Sequence, residues 1–130
     1  MNFFKRFTAK TNAATAEPRP VPMRQLADDI YVSGQIRTED IPGLVQNGIA
    51  SIICNRPDGE SPGQSDFAAI KAAAEQAGMV VRYIPIVPGR AGQKEVDDFA
   101  QAMRELKGPV LAYCRSGQRS SAMWSYSRQQ

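Results

Sequence analysis

From Gln25 onward, short runs rich in β-branched and aromatic residues alternate with stretches where apolar residues recur at helical spacing. This alternation predicts an α/β fold with a mainly parallel sheet of four to five strands and helices on both faces. A hairpin around Asp28-Asp29 leads into a strand over Ile30 to Ser33. A helix starts near Glu39 and Asp40, turns Ile41, Leu44 and Val45 inward, and stops at Gly48. The strand Ala50 to Cys54 follows, then a polar loop over Asn55 to Gln64. An alanine-rich helix over Asp66 to Ala77 places Phe67, Ile70 and Ala74 inward and ends at Gly78. A strand over Val80 to Ile84, the Pro88-Gly89 turn and a helix over Glu95 to Leu106 precede a last strand ending at Cys114. That helix presents Val96, Phe99, Ala100 and Met103. In such a sheet the loops after Ser33, Cys54, Ile86 and Tyr113 gather at the carboxyl ends of the strands, where open α/β folds bind ligands.

The last of these junctions carries the chemistry. The run Tyr113-Cys114-Arg115-Ser116-Gly117-Gln118-Arg119-Ser120 puts a cysteine, a glycine and two arginines between a strand and a helix. A loop that opens a helix points successive backbone N–H groups into its mouth, where they hold a tetrahedral oxyanion. Gly117 lets the backbone curl, and the positive end of the helix favours thiolate at Cys114. Cys114 is the expected nucleophile. Arg119 is expected to grip two oxygens and stabilise charge in the transition state. Arg115, Ser116, Gly117, Gln118 and Ser120 complete the substrate-binding loop, with the Ser120 hydroxyl expected to bond the sulfur. A lone cysteine at a strand end is more often an inert buried thiol. Two arginines converging on one tight turn favour an anion between them.

Composition narrows the classes. The 130 residues contain two cysteines and no histidine, which excludes imidazole-dependent catalysis and the common zinc sites within this chain. Neither metal nor cofactor is expected. The net charge of +3 resides at the start, where Lys5, Arg6, Lys10, Arg19 and Arg24 face Glu17 alone. The remainder is nearly neutral, so nucleic acid is not an expected partner. Residues 1–23 read as a disordered basic tail ahead of a domain over 24–130. The start Phe3-Phe4-Lys5-Arg6-Phe7 also suits weak membrane-surface or partner docking, or organelle targeting. No apolar run is long enough to span a bilayer, and the expected location is cytoplasmic.

Several motifs together resemble a known family. They are Ile30-Tyr31-Val32-Ser33-Gly34-Gln35, Asn55-Arg56-Pro57-Asp58-Gly59-Glu60 with Pro62-Gly63-Gln64, Ile84-Pro85-Ile86 with Gly89, and Tyr113-Cys114-Arg115-Ser116-Gly117. From Leu26 to about Tyr126 the chain resembles the bacterial phosphatase-like domain, similar to dual-specificity phosphatases, that often accompanies a β-lactamase-like hydrolase domain. The resemblance implies a cysteine phosphatase-like fold, with the Cys114 strand between those ending at Ser33 and Cys54. It implies attack by Cys114 on phosphorus, a cysteinyl-phosphate, and phosphotyrosine-like or aryl phosphate substrates on proteins or small molecules. Family members usually continue past a point equivalent to Gln130, which implies a shortened C-terminus. Trp124 and Tyr126 then become candidates for a dimer or partner surface, with core packing the default for Trp124.

Three departures bear on the reaction. Tyr113 stands where tyrosine phosphatases commonly carry histidine. Four residues rather than five separate Cys114 from Arg119. No aspartate lies within Val87 to Lys94, where such enzymes keep their general acid. Protonating a leaving alkoxide is worth roughly 100-fold to 10,000-fold, so aryl phosphates are expected to be favoured unless Asp58 or Glu60 substitutes. A plain turn is the simpler reading of Asp58-Gly59. The loop spacing also resembles rhodaneses, which implies an alternative sulfurtransferase carrying a Cys114 persulfide. A weakly active domain that binds phosphorylated ligands is the third reading. If the two cysteine-bearing strands are neighbours, Cys54 becomes a candidate redox partner of Cys114, although filling a strand end is its simpler role.

Overall fold

A computed structural model of the protein describes residues 20–129; the basic segment and the roles considered for it lie almost entirely outside the described residues. The chain runs through β1 (Met23–Ala27), β2 (Ile30–Ser33), a 3-10 turn (Thr38–Asp40), α1 (Ile41–Gln46), β3 (Ser51–Cys54) and α2 (Phe67–Gln76). It continues through β4 (Val80–Tyr83), α3 (Gln93–Glu105), β5 (Val110–Tyr113) and α4 (Gln118–Ser127). The five strands lie in the order β1-β2-β5-β3-β4. β1 folds back antiparallel onto β2 through the Asp28-Asp29 turn, and every other pairing is parallel.

The order explains the sequence pattern. β5 is flanked by β2 and β3 and covered on both faces, so all of Val110 to Tyr113 is buried and the strand reads as a continuous apolar run. Strand alternation divides the core in two. Ile52, Leu111 and Tyr113 face Ile41 and Leu44 of α1 and Ile70 and Ala74 of α2. Ile30, Val32, Ile53, Val110 and Ala112 face Phe99 and Ala102 of α3 and Met123 of α4. Helices therefore cover both faces, as the alternating pattern predicts.

One inward assignment is corrected, and one strand residue is more exposed than its apolar character suggests. Val45 is 43% exposed, because α1 is too short to bury more than the stripe of Ile41 and Leu44. Val80 is 53% exposed, because β4 is an edge strand with one flank and much of one face open. Gly48 and Gly78 end their helices at φ 85° and 83°, as expected of left-handed C-terminal glycines. Trp124 packs against the α3 side of the core with the Arg128 guanidinium 4.6 Å from its ring centroid, whereas Tyr126 is 55% exposed. Among the described residues no helix is long and apolar enough to cross a membrane.

Candidate active site

β5 delivers Cys114 to the carboxyl end of the sheet. Its last residue, Tyr113, is in register with Ser33 on one side and Cys54 on the other. The ladder extends one step further: the Cys114 N–H donates to Ser33 O at 3.3 Å, and the Asn55 N–H to Tyr113 O at 2.8 Å. The chain then turns into α4 through Gly117, whose φ of 92° is strained for any side chain. The loop is also clamped from outside. A β-carbon on Gly34 would stand 2.8 Å from the Arg115 carbonyl oxygen, a backbone atom that could make room only by moving the loop.

Cys114 is fully buried at the base of this turn, with the Gly117 N–H donating to Sγ at 3.1 Å. Burial opposes the thiolate, but the backbone N–H groups of Ser120, Ser116, Gly117 and Arg119 outweigh it and hold the thiol below its ordinary pKa. These amides support the sulfur without an imidazole. The expected hydroxyl contact takes another form. The Ser120 hydroxyl donates to Asn55 Oδ1 at 2.8 Å, and Asn55 Nδ2 donates to Ile84 O at 2.9 Å. Ser120 thus reaches the sulfur through its backbone, while its side chain ties α4 to the end of β3.

Arg119 is positioned by Glu60. Arg119 Nη1 donates to Glu60 Oε2 at 2.8 Å and to Ile86 O at 2.9 Å, and Nη2 donates to Glu60 Oε1 at 2.9 Å. A guanidinium has a head-on edge, Nη1 with Nη2, and a side edge formed by Nε and Nη2. Glu60 fills the head-on edge and leaves the side edge, and the guanidinium interacts with the Cys114 sulfur as well. Glu60 also accepts from Arg56 Nε at 2.9 Å. Arg56, only 5% exposed, is completed by bonds to Gln35 Oε1 and Ser61 Oγ. The Arg119 bond overcomes the penalty of burial and, with Arg56 adding to it, lowers the Glu60 carboxyl to about 2. Glu60 is therefore ionised at neutral pH and carries no proton to give a leaving group.

Asp58 is occupied elsewhere. Its Oδ1 accepts the Phe67 N–H at 2.8 Å, capping α2, and its own N–H donates to the Tyr83 hydroxyl at 3.0 Å. Arg115, Ser116 and Gln118 are exposed along the loop, where Ser116 Oγ accepts the Gln118 N–H at 3.3 Å. Cys54 donates its thiol to Arg56 O at 3.3 Å, and burial pushes its pKa up to about 11. Both cysteines are free, and the charge of Cys114 adds slightly to the rise at Cys54.

The geometry combines a thiol biased toward thiolate, converging N–H groups and an oriented guanidinium, the parts needed to hold and attack a tetrahedral oxyanion. Sequence reasoning passed over the roles of Asn55 and Gly34, and weighed Glu60 as an acid rather than as the partner of Arg119. A polar Asn immediately after a buried strand is the signal that marks Asn55, since a buried amide requires partners.

Comparison with known proteins places the family and the fold. Residues 22–130 match the family described as the phosphatase-like domain of β-lactamase hydrolase-like protein. The chain is 36% identical over 100 residues to the β-lactamase hydrolase-like protein of Agrobacterium fabrum, covering 77% of this chain and 23% of that one. It thus spans about a quarter of that relative's length. A crystal structure of a Neisseria meningitidis protein put forward as a phosphatase superposes with a TM-score of 0.75 at 40% identity, covering 80% of this chain and 74% of the other. A Shewanella putrefaciens protein of the same class gives 0.73 at 27% identity, over 82% and 69%. With a cysteine phosphatase-like fold around the loop that carries Cys114, the chain belongs to the phosphatase-like domain family of the β-lactamase hydrolase-like proteins.

Proposed function

We propose that the domain hydrolyses phosphate monoesters through a cysteinyl-phosphate, with Cys114 as nucleophile and aryl phosphates as the favoured substrates. The observation that supports this most is the Cys114 sulfur held below its ordinary pKa by four backbone N–H groups of the same loop. Those amides and the side edge of Arg119 would bind the three non-bridging oxygens of the phosphoryl group. The sulfur attacks phosphorus as the ester oxygen departs with the bonding electron pair. Water then attacks the cysteinyl-phosphate, releasing inorganic phosphate and returning the thiolate.

The leaving group decides the substrate range. Glu60 is ionised and Asp58 caps α2, so neither stands ready as an acid in this arrangement. A phenolate leaves with little protonation, whereas an alkoxide needs it. Phosphate release from p-nitrophenyl phosphate, abolished by Cys114→Ser, is the result this reading requires. Thiocyanate formation from thiosulfate and cyanide, with no phosphate release, would instead support sulfur transfer, the reaction that the spacing between Cys114 and Arg119 also suits.

A further inference from the structure

Beside the loop lies an open cleft of about 350 Å³ that the chemistry above does not use. Gln35 and Arg37 from the segment after β2 line it, with Arg56, the stretch Ser61 to Ser65, and Arg115. Arg115 is the residue directly after Cys114, so the cleft and the oxyanion cradle share a wall. The shared wall is firm. Gly34 approaches the Arg115 backbone so closely that no β-carbon fits between them, which fixes the Arg37 segment against the catalytic loop.

The charges in this cleft are unbalanced. Arg56 is buried and each of its three nitrogens donates a hydrogen bond, to Glu60, Gln35 and Ser61, while Glu60 is shared with Arg119. Arg37 and Arg115 are exposed, and among the described residues no carboxylate forms an ion pair with either. Asp40, the acid nearest in sequence to Arg37, accepts that residue's backbone N–H at 2.8 Å. A wall holding several guanidinium groups and one shared carboxylate concentrates positive potential where an anion can reach it.

We propose that the cleft is a second anion subsite, and that the substrate is a phosphate monoester carrying a second phosphate. This rests on the phosphatase reading and specifies its substrate class. The scissile phosphate sits in the cradle of the Cys114 loop, and the second phosphate is held by Arg37 and Arg115, whose planar forks match phosphate oxygens. The bland alternative, two solvated surface arginines, makes no distinction between one phosphate and two.

The test uses phenyl phosphate and hydroquinone bisphosphate as probes. Binding is measured by calorimetry on Cys114→Ser protein, which removes turnover. The bisphosphate is expected to bind roughly tenfold more tightly than the monophosphate, and Arg37→Ala to remove most of that gain. The Arg37 backbone N–H that meets Asp40 survives this substitution, so the turn is preserved. In otherwise wild-type protein, Arg37→Ala should leave kcat/KM for p-nitrophenyl phosphate unchanged and lower it for the bisphosphate. Equal affinity for the two probes, or a preference untouched by Arg37→Ala and by Arg115→Ala, overturns the subsite. Loss of p-nitrophenyl phosphate hydrolysis as a property of the wild-type protein overturns the phosphatase reading instead, and the binding comparison still reports on the cleft.

Discussion

Glu60 grips Arg119 head-on through both carboxylate oxygens, at 2.8 and 2.9 Å, from a loop 59 residues earlier in the chain. The pair fixes the plane of the guanidinium without engaging Nε, and holds it beside the Cys114 sulfur. Glu60→Gln keeps the shape and removes the charge. It is expected to lower kcat on p-nitrophenyl phosphate about tenfold through looser placement of Arg119, with Cys114 still required. Unchanged kcat would separate this ion pair from catalysis.

The same carboxylate predicts a pH dependence of stability. Its folded pKa of about 2 lies below its ordinary 4.5, so the stabilisation is fully present above about 4.5 and is lost as pH falls toward about 2. Urea midpoints measured from neutral pH down to about pH 3 should fall more steeply for the wild type than for Glu60→Gln. Parallel curves would contradict the assignment.

Ser120 and Asn55 supply a test that separates side chain from backbone. Ser120→Ala leaves Asn55 Oδ1 buried without its donor and should cost about 1–3 kcal/mol of stability. The amide of residue 120 remains, so the Cys114 thiolate, followed by its ultraviolet absorbance against pH, should titrate nearly as in the wild type. A strongly raised thiol pKa would restore the hydroxyl–sulfur contact expected from sequence.

Much of the fold was legible because it is governed by local pattern. Gly48 and Gly78 end helices where a left-handed residue is required, and the fully apolar run before Cys114 reads as a strand covered on both faces. The Cys114 loop was legible as a strand-to-helix junction for the same reason, since strand, cysteine, glycine and helix are contiguous. What escaped depends on chain segments meeting in space. Asp58 looks like a turn residue or an acid, and only the fold shows its carboxylate on the first turn of α2. Val80 has the composition of a core residue, but its exposure follows from β4 being an edge. The Glu60 contact to Arg119 and the Ser120 contact to Asn55 likewise join loops that no periodicity connects.

The two cysteines should separate under oxidation. Cys114 is biased toward thiolate, whereas Cys54, with a pKa near 11, stays a thiol at neutral pH. Peroxide should therefore oxidise Cys114 first, to sulfenic acid. Cys54 lies in register with Tyr113 on the adjacent strand, one position short of Cys114. Capture of the sulfenic acid by its thiol would give a disulfide and water, and a Cys54–Cys114 crosslink in tryptic peptides is the expected product. Sulfinic acid on Cys114 with Cys54 unmodified would leave Cys54 a packing residue.

Gly34 sets the height of the loop. Gly34→Ala would force a β-carbon to within 2.8 Å of the Arg115 carbonyl oxygen, so the loop must shift. Activity should fall at least about tenfold, because displacements of about an ångström at a reacting centre are costly. Retained activity would show that the cradle tolerates the displacement.

The central claim is that Cys114 becomes covalently phosphorylated during turnover. Wild-type protein mixed with p-nitrophenyl phosphate, quenched in acid within milliseconds and digested, should yield a phosphate adduct on the peptide containing Cys114, absent from Cys114→Ser. Steady phosphate release with no adduct on Cys114, or release that persists in Cys114→Ser, would contradict it.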